Sequence, residues 1–151
     1  MTVQHTRAGA EPELGSPEAV LPALIVCEQL IADSFARADA NRRATVADLF
    51  LEDGWQRLGP ELMEGRESIR AAMGARDSAD RRTMHSVSDL RVTAMPSEVE
   101  LHVSYNLTLY MLTGANPCVP QSLATVEDVF VSRERTWWLQ SRQVSVLATA
   151  D

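Results

Sequence analysis

Two hydrophobic rhythms divide the chain. In the first half Leu24, Cys27, Ile31 and Phe35 recur at steps of three and four, while Glu28, Asp33 and Arg37 fall between them. That spacing lays one apolar stripe along a helix, and Asp39-Ala40-Asn41 ends it. Upstream, Ser16-Pro17-Glu18 is a helix-start signal. Pro22, however, would remove an interior hydrogen bond, so the main helix is expected to begin near Leu21. A short helix is expected over Ala44 to Phe50 and a third from about Arg66 to Ala75. Between them, DGWQRLG reads as a short strand or extended segment.

The second half changes period. Val99, Leu101, Val103, Tyr105, Leu107, Leu109 and Met111 alternate strictly with Glu100, His102, Ser104, Asn106, Thr108 and Tyr110, which predicts a long strand with one apolar face. Before it, HSVSDLRVTA is a strand joined through Met95-Pro96-Ser97, a connection suited to a hairpin. After it come the loop GANPCVPQ, the strand SLATVEDVFVS, the turn RERT and the strand WWLQSRQVSVLA. Four strands with short connections make an antiparallel meander. Helices first and a meander second is the pattern of an α+β fold in which helices cover one face of a curved, mainly antiparallel sheet. If that sheet curls, its concave apolar face and the helices enclose a pocket.

Length and composition narrow the function classes. At 151 residues, with 45% apolar and 23% charged residues, the chain suits one domain, residues 16–151, after a flexible tail over 1–15. Acidic residues outnumber basic ones 21 to 14 and lysine is absent, so no surface tracks a phosphate backbone and nucleic acid is not an expected partner. No basic, apolar leader opens the chain and no apolar run approaches membrane-spanning length; a cytoplasmic location without membrane contact is the default expectation. Cys27, in a helix, and Cys118, in a loop, read as free thiols. No cluster at metal-ligand spacing, no phosphate loop, no dinucleotide fingerprint and no nucleophile elbow is present, so the expected chemistry needs neither metal nor cofactor.

One residue stands out. In TMHSVSDLRV, His85 heads an otherwise ordinary strand. An imidazole titrating near neutrality can take and give a proton, yet a lone histidine at a strand start is also an ordinary structural residue.

The order of elements, with FARADANRRATVADLFLEDGW, MEGRESIRAAM, RRTMHSVSDLRV and RTWWLQSRQV, resembles the SnoaL-like branch of the nuclear-transport-factor-two-like superfamily over roughly residues 21 to 148. The resemblance implies a cone-shaped α+β barrel, and a function as a cofactor-independent cyclase, dehydratase or isomerase. It places Asp39, in ADAN, and His85 where dehydratase-like members carry their catalytic aspartate and histidine. A second pocket histidine, a serine and an asparagine of those members fall on Leu109, Ala124 and Val126, which makes this pocket greasier. The implied ligand is a small apolar, polyketide-like carbonyl compound, with Trp55, Tyr105, Leu109, Val126 and Trp137 as its expected contacts. Trp138 or Trp137, whichever points outward, would join Tyr110 at a homodimer interface. The rival is a non-catalytic ligand-binding or assembly domain of the same fold, in which both polar residues are structural.

Overall fold

The computed structural model describes residues 14–115 and 117–150. The expected tail therefore lies outside the described residues up to position 13, His5 included.

Helix α1 (Pro17–Asp39) starts four residues before the expected point. The Ala19 and Val20 amides bond to the Ser16 carbonyl and open the helix. Pro22 lies within the first two turns on the exposed side, where a single forgone hydrogen bond is tolerated. Ala23, Cys27, Ile31, Ser34 and Ala38 form the buried stripe, which packs against the sheet at three of its strands. The expectation that no stretch could span a membrane is corrected here. By length and composition alone α1 is long and apolar enough to do so, although part of it is buried in this fold.

A 3-10 segment, Arg43–Leu49, replaces the expected second helix. It leads into β1 (Phe50–Leu58), β2 (Glu61–Glu64), α2 (Arg66–Gly74), β3 (Thr83–Ser97), β4 (Glu100–Met111), β5 (Pro120–Arg133) and β6 (Thr136–Thr149). The sheet order is β2-β1-β6-β5-β4-β3. The meander is present as β3 to β6, but β1 lies parallel to β6 and extends the sheet beyond it. The β3–β4 turn falls at Glu98 and Val99 rather than at Met95–Ser97, because Ser97 is still paired with Glu100 and Met95 is buried. Between β5 and β6, Glu134 and Arg135 both take positive φ, 52° and 66°, as a two-residue hairpin turn matched to strand twist requires.

Curvature comes from breaks in register. Asp89, with φ of 55°, sits in the shift between Ser88 and Arg91, where its carboxylate accepts from the Asn106 amide at 2.9 Å. Further shifts occur between Val129 and Phe130 and between Leu123 and Ala124. Each extra residue bends its strand and strengthens the twist, so the sheet wraps around its apolar face. Gly54 allows β1 to approach β6: a Cβ there would stand 3.0–3.2 Å from the carbonyl oxygens of Leu51, Gln140 and Leu139. The core, with Phe50, Met63, Ile69, Leu101, Val103 and Phe130 at its centre, fills the closed part of the cone, and its open part holds a cavity.

Candidate active site

Asp39 is the last residue of α1, and Asn41 then turns the chain with φ of 56°. The Asn41 amide is fixed at both ends: Nδ2 donates to the Ser78 carbonyl at 2.9 Å, and Oδ1 accepts from Arg43 Nη1 at 2.8 Å. That anchoring aims the Asp39 carboxylate at the start of β3. There Oδ2 accepts the backbone N–H of His85 at 2.9 Å, and Oδ1 accepts the Thr83 hydroxyl at 2.8 Å and meets His85 Nδ1 at 2.6 Å. Burial pushes the Asp39 carboxyl up, but the hydrogen bonds from the His85 ring and backbone, the His85 charge and the Thr83 hydroxyl outweigh it, and its pKa lies below the usual value. The carboxylate is therefore ionised at neutral pH and can only accept. It follows that Nδ1 carries the proton and donates. Nε2 has no hydrogen-bond partner among the described residues, and His85 lines the cavity.

Arg43 supports the pair from behind. Its guanidinium donates to Thr83 Oγ1 at 2.9 Å and to Asp77 at 3.1 Å, and its backbone N–H also donates to the Asp77 carboxylate. Arg43, Thr83, Asp39 and His85 thus form one chain of donors and acceptors. Phe35, one helical turn before Asp39, stacks on the imidazole with ring centroids 5.0 Å apart and planes at 24°, which fixes the orientation of the ring.

The cavity, of about 290 Å³, is walled by apolar groups such as Leu58, Val46, Leu107, Leu109, Ala124 and Val144. Several polar side chains interrupt that wall, among them Gln56, Arg81 and Arg142. Arg142 is fully buried: Nε and Nη2 bond the Asp128 carboxylate at 2.8 Å each, Nη1 bonds Ser34 Oγ at 2.9 Å, and the guanidinium lies 4.8 Å from the Phe35 ring centre. Burial works against the charged guanidinium, but the Asp128 carboxylate outweighs it and raises its pKa, so Arg142 stays cationic. Three of its five N–H groups are used within the protein, and two remain. Among the described residues the Gln56 amide meets the sulfurs of Met73 and Met63, at 3.2 and 3.8 Å.

Of the residues expected from the sequence, the structure brings together Asp39, His85 and Leu109, with His85 and Leu109 on the cavity wall and Asp39 behind the imidazole. Tyr105 and Val126 lie in the core, not on the wall, with the Tyr105 hydroxyl donating to Asp128 at 2.9 Å. Trp55 is off the wall because β1 turns Gly54, Gln56 and Leu58 inward, leaving Trp55 and Arg57 on the other face. Trp137 packs against the core away from the cavity. Trp138 is half-buried with the Arg66 guanidinium 5.5 Å above its ring. His102 pairs with Glu100 at 2.6 Å on the polar face of β4. Among the described residues no three of His, Cys, Asp and Glu converge as metal ligands.

Arg142, Gln56 and Arg81 were not expected at the site. A signal for the first was present: in ATVEDVF, alternation puts Asp128 on the same buried face as Ala124 and Val126, and a buried carboxylate requires a cation.

The chain resembles several solved structures over most of its length. A Novosphingobium aromaticivorans protein named after scytalone dehydratase superposes with a TM-score of 0.77 at 20% identity, covering 89% of this chain and 90% of that one. Aln2 from a Streptomyces species gives 0.74 at 20% identity, covering 89% and 94%. A type 2 hexachlorocyclohexane dehydrochlorinase gives 0.74 at 14%, covering 89% and 92%. At such identities the likeness is one of fold. No curated protein matches significantly. The SnoaL-like domain model, by contrast, matches residues 26–143, a span that runs from α1 through the dyad to Arg142, and the chain belongs to the SnoaL-like family.

Proposed function

We propose that the protein is a cofactor-independent acid–base enzyme of the cyclase, dehydratase or isomerase type, acting on a small carbonyl compound with a largely apolar body. One observation carries this reading: Asp39 Oδ1 lies 2.6 Å from His85 Nδ1, while Nε2 has no hydrogen-bond partner among the described residues and His85 lines the cavity wall. A base fixed in this way takes a proton from the carbon beside a carbonyl, leaving an enolate, while Asp39 stabilises the imidazolium formed. Returning that proton to another carbon isomerises a double bond. Giving it to a departing hydroxyl completes a dehydration, and giving it to the alkoxide formed when the enolate attacks a second carbonyl completes a cyclisation. The two unused N–H groups of Arg142 supply positive charge inside an apolar wall, where a developing oxyanion is best stabilised. The similarity to proteins named for dehydration and dehydrochlorination supports the class of chemistry.

The test is α-proton exchange of an enolisable ketone such as 2-tetralone in heavy water, followed by NMR. The expected result is catalysed exchange by the wild type and loss of it in His85→Gln. No exchange by the wild type, or equal exchange by the variant, rejects the enzyme and favours a ligand-binding domain. The homodimer belongs to the same proposal. Met84 and Leu123 are exposed on the outer sheet face near the half-buried Tyr110; light scattering at twice the chain mass supports a dimer, and its loss in Met84→Glu places it on that face.

A further inference from the structure

The cavity wall carries more positive charge than the dyad needs. Among the described residues Arg43, Arg76, Arg81 and Arg142 all line it, and no aspartate or glutamate does. Three of these charges are answered inside the protein: Arg43 by Asp77, Arg142 by Asp128 and Arg76 by Glu61. Arg81, in the turn before β3, has no carboxylate within 4.0 Å among the described residues. Its Nε is buried and has no hydrogen-bond partner among the described residues. The surroundings do not favour its charge, since burial first, then Arg43 and Arg76, press its pKa down. Arginine nonetheless remains protonated. A half-buried, unpaired guanidinium beside two like charges is costly to keep, and a bound anion removes the cost.

Resting on the cavity as the substrate site, we infer that its natural ligand is an organic acid: a carboxylate docks on Arg81, and the apolar body extends along the apolar wall to His85. The guanidinium fork matches a carboxylate with two parallel N–H donors. One unanswered charge suits a monoanion rather than a phosphate dianion, and the apolar wall suits a carbon skeleton beyond it. Arg81 then sets specificity and the orientation of the skeleton, while the acid–base step stays with the dyad.

The test compares 2-naphthoate with its neutral isostere 2-naphthamide by calorimetric titration at pH 7.5 and low salt. The wild type is expected to bind the acid at least tenfold more tightly than the amide. Arg81→Gln should bind both alike, with amide affinity unchanged, and Arg81→Lys should keep part of the preference. Since Arg81 Nε has no partner among the described residues, Arg81→Gln should fold with an unchanged or raised Tm. Equal affinity of the wild type for acid and amide overturns the inference, as does a preference that survives Arg81→Gln. A preference lost in His85→Gln but kept in Arg81→Gln moves the anion to the imidazolium and also overturns it. Binding of neither compound rejects both the anion site and a ligand cavity of this size. Ketone exchange that persists in Arg81→Gln keeps the acid–base reading standing on its own, so the two failures are distinguishable.

Discussion

Asp39 and His85 lie 46 positions apart, yet one carboxylate takes both the ring N–H and the backbone N–H of the histidine. The ring contact sets the tautomer. The backbone contact fixes the start of β3 to the end of α1, so catalytic geometry and the junction of helix and sheet depend on the same side chain.

Replacing that side chain should therefore be costly twice over. Asp39→Asn turns one accepting oxygen into an amide that faces donors. It should lower activity by about 10²- to 10⁴-fold, the usual range for general acid–base groups. Stability should fall by about 1–3 kcal/mol, the cost of leaving buried donors unsatisfied, as read from urea unfolding. His85→Gln should lose comparable activity with a smaller stability change.

The same residue gives a pH signature. Its folded pKa is depressed, so its contribution is fully present above the unfolded carboxylate value, about 3.9, and is lost as pH falls through the lower folded value. The stability difference between wild type and Asp39→Asn should therefore shrink below pH 4. A difference that keeps growing below pH 4 would contradict the ionised, accepting carboxylate.

Asp128 and Arg142 form a pair with almost no solvent contact. Asp128→Ala or Arg142→Met leaves one buried charge unanswered and should cost about 3–5 kcal/mol. The double variant should lose less than the sum, because it strands no charge. Burial, opposed by Arg142 and aided by Asp128, keeps the Tyr105 phenol well above its usual pKa, so Tyr105 stays a donor in this network. Tyr105→Phe should accordingly be milder than either charge removal.

The two thiols should differ sharply. Burial first and the Asp128 charge second push Cys27 up to about 12, whereas Cys118 is exposed. Iodoacetamide at pH 8 should modify one thiol per native chain and two after unfolding, with peptide mapping placing the native label at Cys118. Native labelling of Cys27 would mean that α1 separates readily from the sheet.

Much of this architecture is written in local periodicity. The stripe through Cys27 and Ile31 marks α1, and the alternation from Leu101 to Leu109 marks the cavity side of β4. Non-local closure is not written there. In β2, ELME offers one buried residue, Met63, too little to signal a strand, and the parallel β1–β6 pairing joins segments about 85 residues apart with no turn to announce it. The polar half of the site was hidden by parity. Simple alternation from Leu139 would point Arg142 outward, but the register shift opposite Val129 and Phe130 adds a residue and turns it inward. Trp55 and Gln56 show the opposite trap: hydrophobicity favoured the tryptophan as the inward residue, while the strand buries the amide. His85 is visible in the sequence as a candidate acid–base group, but its pairing with Asp39 is legible only through the family resemblance, since neither position is unusual for a helix end or a strand start.

The most direct measurement is the protonation of the His85 ring, read from two-bond 1H–15N correlation spectra of the protein with His5 and His102 replaced. At pH values where the ring is neutral, the wild type should show a protonated Nδ1 and a pyridine-like Nε2, and Asp39→Asn should lose that preference. A ring protonated on Nε2, or the same tautomer mixture in both proteins, would contradict the dyad and with it the assignment of His85 as the acid–base group.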